Sequence, residues 1–433
     1  MALEIRPVTR EEAVEYLKVL PFANGLPWWE PYPAAWYGGQ AVYPPHRPPA
    51  PPEQLDKWAD EIMADPEFHP QAAFADGRIV GGSAMLSLEI TVPGPRLAAL
   101  GGVTSTAVIA THRRRGVLRG IMQAMFNEAL TRGEAVAALS ASEGGIYGRF
   151  GFGPATVRTR WEIERSAAAL RPPAAPTAGT LELADAAAAR DAWPVLHEAA
   201  RRLRVGETSP QTGQWASLSD SGEPPDGPLR YLLHRAPGGQ VDGIARYRLP
   251  WSPDVAEAGV LVVEGLEAVT DDAYRALWEL LLDFDLTRRI VAVARPADEP
   301  LRWMLEDPRA MRVTRQTDNF WVRLLDVPAA LESRRYEADG SLVVEIPEDA
   351  MCPPNAGRWR LSVSGGAASC APAGGAAPDL TTDVQALGSL YLGGMSAALL
   401  ASAGRIRQHR DGAVGVLSRL LRTDPPPYNA IGF

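Results

Sequence analysis

Cysteine is nearly missing from this chain of 433 residues: there are two, Cys352 and Cys370. Without a Cys-x-x-Cys pair they form no zinc knuckle, and they imply no disulfide framework. Long apolar runs are missing as well, and none approaches the roughly 20 residues needed to span a bilayer. The opening stretch MALEIRPVTREEAVEYL carries acidic residues where a signal peptide needs an apolar core. These absences predict a soluble, cytoplasmic protein in a reducing compartment. HExxH, Walker A, GxSxG and metal-spaced His/Cys clusters are not found either, so no metal is expected. The formal net charge of −9 is ill suited to nonspecific nucleic-acid binding and weakly favours cationic partners.

What is present is ordinary globular material, 46% hydrophobic and 22% charged, on a chain too long for a single core. Thr9 and Glu12 form a capping-box signature ahead of a helix, after a short strand. Residues 27–52 are crowded with proline and aromatics, including Trp28, Trp29, Tyr32, Trp36 and Tyr37. Proline at that density excludes regular helix. The segment reads either as a surface insertion or as a lid, since exposed tryptophans are costly in water. EQLDKWADEIMAD reads as helix, and strands follow with turns at Asp76-Gly77 and Pro93-Gly94. RSAAALRPPAAPTAG breaks the composition, giving expected units at 1–164, 165–325 and 326–433. The second unit repeats a strand-helix-strand order. The third opens with a helix, continues through strands and adds two helices near SLYLGG and SAALLASAG.

The most specific stretch is GVTSTAVIATHRRRGVLRGIMQAMFNEALTRGEAVAALSASEGGIYGRFGF, which ends at Phe152. It reads as strand, basic-glycine turn, amphipathic helix, strand and glycine-rich loop. Leu118, Ile121, Met122, Met125 and Ala129 recur at three- and four-residue spacing, the face that packs on a sheet. Ahead of them Arg113, Arg114, Arg115 and Gly116 stand at a helix start, where unpaired N–H groups and a partial positive charge suit a pyrophosphate. Glycine there lets phosphate approach the backbone, and arginine adds charge-assisted hydrogen bonds. By itself this pattern also fits a solvated basic cap. His112 borders the turn and reads as polar packing rather than a base.

The turn Arg113-Arg114-Arg115-Gly116-Val117-Leu118 resembles motif A of the GNAT N-acetyltransferases, with Leu118 where the motif has a small residue. ASEGGIYGRFGFGPAT, THRRRGVLR, DNFWVRLLDVPAALESRRY, LGSLYLGG and a terminal phenylalanine look like the enhanced intracellular survival (Eis) subfamily. The resemblance implies an α/β (α+β) protein: two tandem GNAT-type mixed-sheet domains, then a C-terminal sterol-carrier-protein-like α/β domain. It implies acetyl-CoA as co-substrate, an amine acceptor such as an aminoglycoside-like polyamine or a lysine side chain, and a homo-oligomer, hexameric by resemblance. Thr106, Ala107 and Val108 would line the acetyl and pantetheine arm. Arg114, Arg115, Gly116, Val117, Leu118 and Arg119 would surround the pyrophosphate. Ser142 and Glu143 would sit near the cofactor, although both equally suit a helix cap. Trp58 reads either as a pocket-lining residue or as a structural tryptophan.

Amine acetylation moves two protons: the ammonium loses one before attack, and the departing thiolate gains one. Tyr147, with an ordinary pKa of about 10, is suited to giving the second. The resemblance makes it the general acid and makes the C-terminal carboxylate of Phe433 the general base. A chain-terminal carboxylate, with a pKa of about 3.5, is a weak base unless it is partly desolvated. It would equally hold a cationic amine and relay its proton through water. Pro425, Pro426 and Pro427 stiffen the approach to this terminus. Two other readings stand beside this one: a lipid carrier with a degenerate acetyl-transfer site, and a transferase of longer acyl chains.

Overall fold

A computed structural model describes residues 3–23, 51–215, 228–249 and 259–433. Most of the proline- and aromatic-rich segment, with Trp28, Trp29, Tyr32, Trp36 and Tyr37, lies outside the described residues. Among the described residues no helix is long and apolar enough to cross a membrane. Both cysteines are free and buried.

The first sheet uses β1 (Leu3–Pro7), β2 (Phe68–Ala75), β3 (Arg78–Val92), β4 (Arg96–Val108), β5 (Val136–Ser140) and β6 (Gly153–Pro154). The chain continues through β7 (Val157–Glu164), β8 (Thr180–Ala184), β9 (Leu229–Arg235), β10 (Val241–Arg248), β11 (Val260–Ala268), β12 (Arg289–Arg295), β13 (Arg312–Asp318) and β14 (Phe320–Leu324). Sheet order does not follow chain order. The first sheet runs β1-β2-β3-β4-β5-β14-β6, and the second runs β13-β7-β12-β11-β10-β9-β8. Thus β7 leaves the first sheet for the second, and β14 returns from the second to the first. Both carry the period-two pattern of a strand with a buried face: Thr159, Trp161 and Ile163 in β7, Phe320, Val322 and Leu324 in β14.

Helix α1 (Arg10–Ala23) opens at the expected capping box, where the Thr9 amide donates to the Glu12 carboxylate at 3.0 Å. With α2 (Pro52–Ala64) it covers one face of the first sheet, packing Ala13, Tyr16 and Ala59 on Ala72, Phe74 and Ala107. Trp58 is half-buried on α2. Helix α3 (Val117–Thr131) covers the opposite face through Ile121, Met122, Met125, Phe126 and Ala129. It links β4 to β5, the parallel pair of the first sheet. The helix Asp271–Leu282 links the parallel pair β11 and β12 in the second.

The third sheet, β15 (Gly340–Ile346), β16 (Gly357–Ser364), β17 (Ala367–Pro372), β18 (Leu380–Thr382) and β19 (Ile406–Gln408), runs β17-β16-β15-β18-β19. Its apolar face is continuous with the first sheet: Leu88, Ile90 and Val322 share one core with Leu342, Leu387 and Leu417. The helix Val384–Tyr391 is pressed onto β14 and β6 so closely that backbone meets backbone. A Cβ at Gly388 would overlap the Val322 carbonyl, and one at Gly153 would overlap the Gln385 carbonyl. Carbonyls cannot swing aside as side chains do, so glycine is required on both sides of this seam. Gly388→Ala and Gly153→Ala are each expected to lower stability by about 1–3 kcal/mol in denaturant titrations. Gly145→Ala, where a Cβ meets open space, should leave the midpoint in place; an equal drop in all three would remove close approach as the cause.

Candidate active site

The site begins with a fault in a ladder. Along β3 and β4, Gly82 pairs with Ala107 but Ala84 pairs with Thr104, so Ser105 and Thr106 together oppose Ser83 alone. The extra residue is a β-bulge, with Ser105 at φ 54°, and bulges bend and twist the strand that carries them. The parallel ladder between β4 and β5 holds at Leu100–Val136, Gly101–Ala137 and Gly102–Ala138, and goes no further. Beyond Gly102 the two strands part. An extended ligand with amides of its own fits such a split as an additional strand would.

At the mouth of the split stands the basic turn. From Val108 the chain passes through a short 3₁₀ turn, Ala110–His112, in which His112 Nδ1 lies 3.0 Å from the Thr111 hydroxyl, to Arg113. Arg113 Nε donates to the Val108 carbonyl at 3.3 Å and closes the loop. Arg114 and Gly116 both have positive φ, 61° and 81°, which aims the chain into α3. Gly116 is the N-cap and supplies no side-chain acceptor, so the first-turn amides of α3 lack the usual cap. Arg114, Arg115, Gly116 and Arg119 are exposed around them. Val117 is buried in the core, and Leu118 packs partly against the same cluster. The Leu118 side chain therefore faces the sheet, leaving its backbone at the helix start.

Tyr147 closes the short helix α4 (Gly144–Tyr147) and is 8% exposed. Its ring packs edge-on against Phe152 at 6.3 Å, on the α3 side of the sheet. Thr106 and Ser142, two of the residues expected near the cofactor, lie beside the Tyr147 hydroxyl. Thr106 in turn meets Ser83 at 2.7 Å, and Ser83 donates to the Thr104 carbonyl at 2.9 Å. Burial pushes the Tyr147 phenol above its ordinary pKa, while Thr106 and Ser142 temper that rise. A phenol so placed is protonated at neutral pH and able to donate. Glu143 occupies the N-cap of α4 but makes no side-chain cap bond, and it is exposed.

The Tyr147 loop is braced from below. Arg323 of β14 lies directly under Gly151, where any Cβ would strike its guanidinium. Arg323 pairs with Asp349 at 2.7 Å, both side chains almost wholly buried. Asp349 also accepts from the amides of Met351 and Cys352, each at 3.1 Å, and from Asn355 Nδ2 at 3.0 Å. Gly148 faces Gln385 of the third unit. The SEGGIYGRFGFG run, which carries Tyr147, is therefore also a docking surface, and its glycines at 148, 151 and 153 mark close approaches.

Phe433 reaches the split from the other face. Its ring packs on Phe320 at 5.1 Å and lies over Gly102, the last residue of the parallel ladder, leaving no room there for a Cβ. Gly102 and Val103 point to opposite faces, as neighbours in a strand must. Phe433 shares the cluster of Leu88 and Leu100, and Tyr147 shares the cluster of Met85 and Val103. The two groups thus flank β4 from opposite sides, at positions four residues apart (Gly102 and Thr106), roughly 13 Å along a strand.

In the second unit the equivalent split is closed. The ladder of β11 and β12 ends at Val263–Ala292, and the gap beyond it is filled by Arg295, whose Nη1 donates to the Leu266 carbonyl at 2.8 Å. Arg295 is held by Glu299 at 2.7 Å, and the Tyr428 hydroxyl donates to the Ala294 carbonyl. The following helix begins with Asp271 and Asp272 and is capped by the Thr270 hydroxyl at 3.2 Å, which disfavours an anion. The first unit therefore holds the open split. Ser83, Arg323, Asp349 and Gln385 had no signal in the sequence, because each acts through contacts formed across long chain separations.

Two stretches match the acetyltransferase (GNAT) domain, residues 71–155 and 209–324, and a third matches the sterol carrier protein domain, residues 327–430. An uncharacterized N-acetyltransferase of Streptomyces coelicolor is 39% identical over 360 residues, 82% of this chain and 86% of that protein. N-acetyltransferase Eis of Mycobacterium tuberculosis is 34% identical over 393 residues, 88% of this chain and 93% of its own length. The crystal structure of Eis1 from Mycobacterium abscessus superposes with a TM-score of 0.81 at 32% identity, covering 100% of both chains. Similarity that runs through all three units over nearly the full length makes this chain a member of the Eis family of GNAT N-acetyltransferases, an enzyme of acetyl transfer.

Proposed function

We propose that the first unit transfers the acetyl group of acetyl-CoA to an amine by direct attack in a ternary complex. The observation that carries this reading is the flanking of one open split by Tyr147 and Phe433 from opposite faces. The pantetheine arm lies along Thr106, Ala107 and Val108. The pyrophosphate meets the uncapped start of α3 with Arg114, Arg115, Gly116, Val117, Leu118 and Arg119 around it, and Ser142 and Glu143 stand near the acyl end. The Phe433 carboxylate holds the incoming ammonium and takes its proton, directly or through water. The neutral nitrogen then bonds to the thioester carbonyl carbon, the C–S bond breaks, and the Tyr147 hydroxyl protonates the leaving sulfur.

The acceptor we favour is an aminoglycoside-like polyamine or a lysine side chain, since a chain of net charge −9 attracts cations. A cytoplasmic, hexameric assembly belongs to the same reading. The carrier alternative is weakened by the interior of the third unit. The cavity among Val327, Leu331, Trp359, Leu387, Leu417 and Leu421 measures about 10 Å³. That is room for about one water, whereas a small-molecule ligand site runs to several hundred Å³.

Free-thiol release from acetyl-CoA with a panel of amines tests the assignment. Tyr147→Phe should lower kcat by about 10²–10⁴-fold, and deletion of Phe433 should do likewise; turnover that survives both would sink the catalytic roles. Arg114→Ala combined with Arg115→Ala should raise the KM for acetyl-CoA by about tenfold or more, with kcat nearly kept. The active form of Tyr147 is the protonated phenol, and its pKa is raised. Its ionisation should therefore depress kcat only above about pH 10; a fall near pH 8 in wild type that is absent from Tyr147→Phe would contradict this.

A further inference from the structure

The last residues of the chain are held by the second unit more than by their own. Residues 205–209 of the second unit lie along β3 where β2 has ended: the Thr91 amide donates to the Glu207 carbonyl, and the Gly206 amide to the Thr91 carbonyl, each at 2.8 Å. The same segment receives the tail. The Tyr428 amide donates to the Val205 carbonyl at 2.8 Å, and Asn429 Nδ2 donates to the Gly206 carbonyl at 3.2 Å. The Ala430 amide is shared by both oxygens of the Glu207 carboxylate, each at 3.0 Å. Ile431 is buried in the core of the second unit, and Gln214 Nε2 donates to the Gly432 carbonyl at 2.5 Å. Every residue from 428 to 432 is thus tied down, and Phe433 follows.

Glu207 is the one charged group in this clasp, and it is buried. Its surroundings contain Glu267 of β11, His197 of the helix Ala186–Arg201, Arg204 beside it and Tyr428 of the tail. Arg204 is engaged by Asp298 at 2.5 Å, and His197 by Glu267 at 2.8 Å. Glu267 also accepts from Trp193 Nε1 at 2.6 Å. Among the described residues, the hydrogen bonds of the Glu207 carboxylate go to the Ala430 amide.

We propose that Glu207 is the positioning residue of the C-terminal carboxylate: by holding the Ala430 amide it sets where the end of the chain stands in the split. This rests on the reading that the Phe433 carboxylate manages the proton of the amine. Glu207 touches no substrate and acts only through the tail. Burial and the charge of Glu267 push its carboxyl up to about 7, with His197, the Ala430 amide and Arg204 pulling less strongly downward. Above that pH the ionised carboxylate makes a charge-assisted bond to the amide. Below it the protonated acid is a weaker acceptor and the clasp loosens. The rate should therefore rise with pH through about 7, at a point that does not move when the acceptor amine is exchanged for one of different basicity.

The experiment compares wild type, Glu207→Gln, Glu207→Asp, the Phe433 deletion and the Glu207→Gln deletion double variant, from pH 5.5 to 9, with acetyl-CoA and an aminoglycoside. Glu207→Gln should lower kcat about tenfold, leave the KM for acetyl-CoA in place and abolish the inflection. Glu207→Asp should restore part of both. The double variant should be no slower than the deletion alone, as coupling through the tail requires. A deletion that kills activity beside a Glu207→Gln enzyme with wild-type kcat and inflection overturns the role of Glu207, and so does a further loss in the double variant. A deletion as active as wild type overturns the reading of the terminus and this proposal together. Should Glu207→Gln fail to fold, amide exchange of residues 425–433 in wild type decides: the Ala430 amide should exchange far more slowly than an open chain, and exchange at the unprotected rate refutes the clasp.

Discussion

The divergence of β4 from β5 governs the rest of this molecule. One surplus residue at Ser105 bends β4, the parallel ladder stops after three pairs, and a sheet that would otherwise be closed acquires a gap. A gap in a sheet exposes backbone amides and carbonyls that must find partners. The second unit meets that requirement with its own Arg295 and Glu299 and with Tyr428 of the C-terminal tail. The first unit leaves its gap open, and under the proposed reading a ligand with peptide-like groups would supply the partners there. One architecture thus yields a site in one copy and a plug in the other. The difference resides in a few side chains and in whether arginines precede the following helix or aspartates open it.

The third unit acts as a buttress. Its core merges with that of the first sheet, its helix Val384–Tyr391 lies against the Tyr147 loop, and its Asp349 neutralises the buried Arg323 beneath that loop. Removing one member of a buried ion pair typically costs 3–5 kcal/mol, because the survivor remains in a low-dielectric interior. Such a pair fixes geometry more than it adds net stability. Its place under a loop that must hold one hydroxyl against Thr106 and Ser142 accords with that use.

Much of this was legible in the chain. The helix of α3 follows its apolar spacing, and the capping box at Thr9 and Glu12 forms as written. The turns at Asp76-Gly77 and Pro93-Gly94 stand at positive φ in Asp76, Gly77 and Gly94. The basic turn, the glycine loop and Tyr147 come together around one strand, as local periodicity and turn chemistry suggest. What stayed hidden was everything decided by partners far along the chain. Neither the composition of VRTRWEIE nor that of FWVRL says which sheet it will join, since alternation specifies a face and not a neighbour. Ser83, Asp349 and Glu207 look like unremarkable polar residues until long-range packing brings them to the site. The path of the tail beyond the closing helix Ala413–Leu421 was likewise unreadable, because its anchors lie in the second unit.

The exchange of β7 and β14 has a bearing on how the protein is made. A ribosome that has released the first unit has released β6 and β7, but the strand that must lie between β5 and β6 is still more than a hundred and fifty residues away. Until β14 emerges, β5 has an unpaired edge, and β7 waits unpaired until β12 and β13 of the second sheet have followed it. Exposed edges of that kind invite pairing with other chains. The nascent polypeptide therefore cannot mature unit by unit in the order in which it is translated. The first two sheets are completed together, late, and a truncated product lacking β14 would carry an open flank into the crowded cell.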